Sequence, residues 1–97
     1  MVIEFNAILD KEDALLDTLI EKQNSLRESV IEKNWEMLTV NIQEINDIST
    51  EFQKIDSRRD ELQRAIKTSE LEPYFNKLSQ VRSKLLKCKV ENRVFIR

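Results

Sequence analysis

Carboxylates are the side chains of this protein that could do chemistry together. Glu28 and Glu32 are four residues apart, as are Glu32 and Glu36, and this spacing places neighbouring side chains on one face of a helix. Paired carboxylates hold two iron ions in some helical bundles, but such sites usually also need the histidine of a Glu-x-x-His element. The sequence contains no histidine. We therefore interpret these acids as solvated side chains and predict no metal site and no cofactor.

The lone cysteine, Cys88, is the second candidate. Its basic neighbours Lys87 and Lys89 could make the thiol more reactive, but no histidine or second cysteine is present to activate or resolve it. A lone cysteine forms no disulfide within the chain and no zinc site by itself, and a chain without glycine cannot form a Gly-rich phosphate loop. The sequence therefore predicts a protein that is not an enzyme, in which Cys88 packs in the core as a small apolar residue.

Charge is distributed unevenly along the chain, whose formal net charge is −2. Residues 1–36 hold nine acids and four bases, and residues 37–97 hold nine acids and twelve bases. The bases concentrate near the C-terminus, where they could attract a nucleic acid or an acidic membrane surface. Bases are also favoured near the end of a helix, where they interact with its dipole and keep an exposed face soluble. We adopt the second interpretation and expect neither a nucleic-acid partner nor membrane insertion.

Long amphipathic helices must position these residues. The chain has 97 residues, no glycine and one proline, so few tight turns are possible, and strand-type alternation is nowhere sustained. No stretch approaches the roughly 20 apolar residues of a transmembrane helix, and the first residues lack the features of a signal peptide. We expect a single cytoplasmic domain over residues 1–97: an all-α, antiparallel up-down-up bundle of three long helices with coiled-coil-like packing.

The first two helices are predicted over about residues 3–32 and 35–67, with Asn34 as the N-cap of the second. The buried face of helix 1, interrupted by Glu12 and Gln23, is predicted to consist of Phe5, Ile8, Leu9, Leu15, Leu16, Leu19, Leu26 and Val30. The stripe of helix 2 recurs every three or four residues: Trp35, Leu38, Ile42, Ile45, Ile48, Phe52, Ile55, Leu62 and Ile66. One longer step skips Arg59, which we expect either to extend to solvent or to pair with an acid on helix 1 or 3.

Helix 3 is predicted over about residues 73–97. Two starts compete, because Pro73 fits a first helical position, whereas Ser69 and Glu72 have the spacing of a capping box and favour a start near residue 70. We prefer Pro73, with one separate turn before it. The aromatic residues at the starts of the helices could close the ends of the bundle or contact a partner, and we favour the first role: Trp35, Tyr74 and Phe75.

Helix 3 carries more apolar surface than a contact with two partner helices needs. Its main stripe runs to the end of the sequence without a cap: Tyr74, Leu78, Val81, Leu85, Cys88, Asn92 and Phe95. A second stripe lies beside it: Leu86, Val90 and Val94. Asn92 is costly to bury, and it either sets register or contacts a partner, or is simply exposed. Spare apolar surface of this kind indicates a protein partner.

Three segments resemble the FlgN family, the cytoplasmic export chaperones for the hook-associated proteins of the bacterial flagellum. Residues 15–23, LLDTLIEKQ, are similar to the leucine- and glutamate-rich first helix of that family. Residues 30–38, VIEKNWEML, resemble its turn into helix 2, and residues 55–62, IDSRRDEL, its acid and arginine run. Residues 84–93, KLLKCKVENR, resemble its Leu-rich third helix with an embedded Asn.

The resemblance implies a chaperone that acts in type III secretion during flagellum biogenesis, with the export apparatus as a further partner. An amphipathic helix of a hook-filament junction protein would lie along the exposed stripe and be kept from premature assembly. The family places substrate recognition in its C-terminal region. The binding surface implied here is Leu86, Val90, Asn92, Val94, Phe95 and Ile96, with Lys89 and Arg93 as its polar rim. The alternative is a scaffolding coiled-coil protein, in which the same stripe mediates self-association as a homodimer.

Overall fold

The structure, a computed structural model, describes the backbone of residues 1–95 and the side chains of residues 1–89. Its elements are α1 (Val2–Ile31), α2 (Trp35–Ala65), the single turn α3 (Thr68–Leu71), a 3-10 turn (Glu72–Tyr74) and α4 (Phe75–Phe95). This part of the chain contains no β-strand. The prediction of an all-α bundle with three long helices is confirmed.

Ion pairs between helices define the directions of α1, α2 and α4. Residue numbers rise along α1 as they fall along α2, as two pairs show: Glu4 with Arg58, and Lys22 with Glu44. α4 runs parallel to α1, because Lys77 pairs with Asp10 and Lys84 pairs with Asp17. The up-down-up bundle measures 51 Å along its axis and 19 Å in each other direction.

The core is a stripe of apolar side chains enclosed by the long helices. Its buried members are Phe5, Leu9, Leu16, Leu19, Leu26, Ile45, Phe52, Leu62, Ile66, Leu71, Leu78, Val81 and Cys88. Removing this apolar surface from water is the main favourable contribution to folding. Cys88 is 1% exposed, which confirms that it packs as a core residue.

The turn between α1 and α2 reverses the chain without glycine. The N–H of Lys33 donates to the carbonyl of Val30 at 3.2 Å, and the N–H of Asn34 donates to the carbonyl of Ser29 at 2.9 Å. This is the Schellman pattern, which needs a left-handed residue, and Lys33 takes that conformation with φ of 57°. Asn34 then caps α2 as predicted, because its Oδ1 accepts a hydrogen bond from the N–H of Met37.

The connection from α2 to α4 corrects the predicted start of the third long helix. α2 ends two residues early because Ile66 is extended, with φ of −90° and ψ of 140°. One separate turn follows, as predicted, but its N-cap is Lys67 rather than Ser69, and no side chain caps it. Pro73 lies inside the 3-10 turn, so α4 begins at Phe75. Proline has no N–H to donate, which interrupts the α-helical hydrogen-bond ladder at this point.

Three residues that were expected to be covered are exposed. Trp35 is 59% exposed and Phe75 is 45% exposed, so the prediction that they close the ends of the bundle is wrong. Val30, placed on the buried face of helix 1, is 41% exposed. Trp35 and Val30 flank the α1–α2 turn, where few neighbouring residues can cover them. Tyr74 does close the other end, since its ring meets Phe5 edge to face with the ring centroids 6.2 Å apart.

Candidate binding cleft

A cleft runs between α2 and α4. α1 packs against both of these helices, whereas α2 and α4 make few contacts with each other in the described part of the chain. The cleft has a volume of about 370 Å³, which falls within the range of about 300–1,000 Å³ found for ligand pockets. Its floor is apolar and consists of Leu16 and Leu19 from α1 with Phe52 from α2.

The two walls of the cleft differ in polarity. The α2 wall consists of Ser49, Gln53 and Asp56, and the α4 wall of Leu85, Cys88 and Lys89. Each set recurs at helical spacing, so it occupies one face of its helix. Cys88 is buried next to the floor, and Lys89 is exposed at the rim. The α4 wall is therefore apolar near the floor and basic near the solvent. This arrangement suits a helix with an apolar face and polar flanks.

A buried carboxyl group, Glu12, lies beside the α2 wall. Its side chain is fully buried, and Nε of Arg59 lies 3.8 Å from its Oε1, which is too far for a hydrogen bond. Arg59 instead donates to Oδ1 of Asp56 at 2.8 Å and to Oε1 of Gln63. Among the described residues, neither oxygen of Glu12 has a hydrogen-bond partner. Arg59 thus forms an ion pair with helix 1, one of the two outcomes expected for it, but it lies closer to an acid of its own helix.

The pKa values of Glu12 and Asp56 are shifted in opposite directions. Burial, together with the nearby charge of Asp56, raises the pKa of Glu12 to about 8, while the charge of Arg59 opposes this rise. Burial also acts to raise the pKa of Asp56. The hydrogen bond from Arg59, with the positive charges of Arg59 and Lys89, outweighs burial and lowers the pKa of Asp56 below its usual value. At neutral pH, Glu12 is therefore protonated beside the ionised Asp56.

Two further buried polar contacts join the helices. Nε2 of Gln23 donates to the backbone carbonyl of Cys88 at 2.9 Å, which links α1 to α4. Nδ2 of Asn41 donates to Oγ of Ser29 at 3.0 Å, and the Ser29 hydroxyl donates to the carbonyl of Ser25 at 2.9 Å. Buried polar groups require partners, so these contacts favour one register of the helices over others.

Two of the predicted binding residues have described side chains, and both lie near the cleft. Leu86 is 64% exposed, and Lys89 is exposed at the cleft rim. The remaining predicted residues lie outside the described side chains: Val90, Asn92, Arg93, Val94, Phe95 and Ile96.

The sequence interpretation missed the α2 wall and the buried polar residues. Ser49, Gln53 and Asp56 each follow a residue of the apolar stripe by one position. They therefore form a second stripe beside the apolar stripe of α2, and this spacing could have been used to predict them. Glu12 and Gln23 were noted only as interruptions of an apolar face.

No model of a known protein family matches the chain, and comparisons with curated proteins and with solved structures also find no match. Within the described residues, no helix is both long and apolar enough to cross a membrane. The same residues include no group of three or more side chains of metal-binding type placed to hold an ion. The site that the geometry defines is an apolar cleft between helices with a polar rim.

Proposed function

We propose that this protein binds an amphipathic helix of another protein in the cleft between α2 and α4 and along the adjoining exposed surface of α4. The observation that carries the proposal is the cleft itself, in which two helices pack on a common third helix but stand apart over an apolar floor. A four-helix bundle fills such a position with its fourth helix. A partner's helix would supply that missing surface, which is helix-in-groove recognition.

The biological role that suits this mode of binding is that of a cytoplasmic export chaperone. The resemblance to the FlgN family points to hook-filament junction proteins as clients. Their amphipathic helices would be covered until export, and the role requires binding and release but no chemical step. Leu86 and Lys89 contribute the described part of the contact surface, next to the cleft.

Complex formation with purified hook-filament junction proteins tests this proposal. Isothermal titration calorimetry should detect binding, and Leu86→Asp should weaken it by about tenfold or more, because burying a leucine contributes on the order of 1.5–3 kcal/mol. Ile3→Asp is the matched control, since Ile3 is 87% exposed near the start of α1, away from the cleft. Val94→Asp and Phe95→Asp test the rest of the predicted surface in the same assay. Absence of any complex, or equal weakening by Leu86→Asp and Ile3→Asp, would reject the proposal.

A scaffolding role through self-association is the second candidate. It is favoured by exposed apolar side chains around the α1–α2 turn: Val30, Ile31, Trp35, Met37 and Val40. Sedimentation equilibrium across a range of protein concentrations distinguishes the two roles. Two results together would favour the scaffold: a tight dimer that is dissociated by Trp35→Asp, and no binding of junction proteins.

A further inference from the structure

The basic residues of α4 occupy both edges of its buried face, and one edge is paired with α1. Nζ of Lys77 lies 2.6 Å from Oδ1 of Asp10. Nζ of Lys84 lies 2.7 Å from Oδ1 of Asp13 and 2.8 Å from Oδ1 of Asp17. Lys77 and Lys84 are two helical turns apart, so the acids of α1 neutralise one whole edge of α4.

The other edge of α4 carries two bases at the same spacing. Lys89 lines the cleft, and Arg82 lies two turns earlier on the same face of the helix. Both are exposed, and neither forms an ion pair within 4 Å among the described side chains. Leu86, between them on this side of the helix, is 64% exposed.

The acids on the α2 side of the cleft are already paired with arginines of their own helix, although the charge of Asp56 also reaches Lys89. Asp56 is paired with Arg59 at 2.8 Å, and on the same side of α2, Asp60 is paired with Arg64 at 3.0 Å. The cleft therefore combines an apolar floor with an excess of positive charge along its α4 rim. A helix seated there would lie beside α4 as α1 does on the opposite edge.

We propose that the cleft selects a partner helix whose apolar seam is flanked, on the side facing α4, by acidic residues seven positions apart. These acids would meet Arg82 and Lys89 as the acids of α1 meet Lys77 and Lys84. The inference rests on the proposed function and specifies the chemistry of its partner. Exposed ion pairs add little affinity, so the apolar seam supplies most of the binding and the charges discriminate between partners.

Two synthetic helical peptides of three heptads test this selectivity. Both carry leucine along the same seam, and they differ only at two flanking positions seven residues apart, which are glutamate in one peptide and lysine in the other. Fluorescence anisotropy with the full chain at low salt should show the glutamate peptide binding at least about fivefold more tightly. The difference should shrink at about 0.5 M salt, where charges are screened.

Charge reversal on the protein provides the matched comparison. The double variant Arg82→Glu/Lys89→Glu should invert the preference between the peptides. Lys87→Glu makes the same change of charge on the same helix, about half a turn away from Lys89, and should leave the preference unchanged.

The outcomes separate this inference from the proposed function. Absence of peptide binding, equal binding of both peptides, or inversion by Lys87→Glu as well would overturn the inference, even if junction proteins still bind in calorimetry. Charge-selective peptide binding without any junction-protein complex would support the inference and reject the chaperone role. A dimer that excludes both peptides and that Arg82→Glu/Lys89→Glu dissociates would show a second copy in the cleft, which also overturns the inference.

Discussion

Glu12 is buried between α1 and α2, beside Asp56, and is protonated at neutral pH. The pKa of Glu12 rises from an ordinary 4.5 to about 8 on folding. Because the pKa is raised, the stabilising effect of this proton is complete below about pH 4.5 and is lost as the pH rises through about 8. The pKa of Asp56 is lowered, so its contribution has the opposite sign and is lost as the pH falls through its folded-state value.

Replacing Glu12 with glutamine should remove this dependence on alkaline pH. Glutamine has nearly the same shape as protonated glutamate, is uncharged and cannot lose a proton in this pH range. Urea denaturation at a series of pH values should show the free energy of unfolding of the wild type falling between about pH 5 and about pH 9, and that of Glu12→Gln nearly constant. Glu21→Gln, an exposed change on the same helix, should keep the wild-type slope. A flat wild-type profile would contradict a buried proton on Glu12.

Lys33 occupies a left-handed conformation that glycine adopts at lower cost. Lys33→Gly should raise the free energy of unfolding by about 0.5–1 kcal/mol, since the steric cost of this conformation, roughly 1–2 kcal/mol, is only partly offset by the greater freedom of glycine in the unfolded chain. Thermal or urea denaturation measures the change. Glu32→Gly is the control: Glu32 is right-handed with φ of −82°, so glycine there should destabilise the protein. Destabilisation by Lys33→Gly would argue against the Schellman turn.

At the scale of elements, α1 holds the bundle together. α2 and α4 each pack on α1 but hardly on one another, so α4 has one major helical neighbour in the described part of the chain. Its attachment combines buried apolar residues with the Gln23 contact to the Cys88 carbonyl and the ion pairs of Lys77 and Lys84. Within the described residues, α4 packs less extensively on α1 than α2 does, and a less extensively packed element opens more readily by local fluctuation.

Hydrogen exchange should reveal this difference between the helices. Central amides of α4, over residues 79–88, should exchange faster than central amides of α1 and α2. Lys84→Ala removes the ion pairs to Asp13 and Asp17 and should accelerate exchange in α4 further, with little effect on α2. Lys87→Ala, at an exposed base of the same helix, is the control and should leave exchange unchanged. Equal protection of α2 and α4 would contradict a weaker attachment of α4 to the bundle.

The long helices and the cap at Asn34 could be predicted from sequence, because apolar period and capping chemistry are local properties. The cleft could not, since the separation of α2 and α4 depends on how side chains from three helices fill the core together. The burial of Glu12 could not be predicted either, because its neighbours Asp56 and Arg59 are more than forty residues away in the sequence. α4 begins at Phe75 and not at Pro73, because Pro73 lies in a 3-10 turn. The spacing of apolar residues in the sequence does not distinguish such a turn from the first turn of an α-helix.

Across the whole molecule, the two edges of α4 differ in both packing and charge. The first 36 residues carry nine acids and four bases, and the acids of α1 neutralise the adjacent edge of α4. The cleft edge of α4 keeps Arg82 and Lys89 unpaired among the described side chains. The cleft therefore has an apolar floor and a basic rim on its α4 side, although the chain as a whole is weakly acidic.

Nuclear magnetic resonance can show residue by residue whether a client helix binds in the cleft between α2 and α4. Nitrogen-15-labelled full chain would be titrated with a purified hook-filament junction protein while the backbone amide signals are followed. If the helix binds in the cleft, the largest perturbations should occur at Ser49 and Gln53 on α2 and at Leu85 and Lys89 on α4, with the amides around Trp35 little affected. An unchanged spectrum at saturating client, or perturbations confined to the α1–α2 turn, would contradict binding in the cleft.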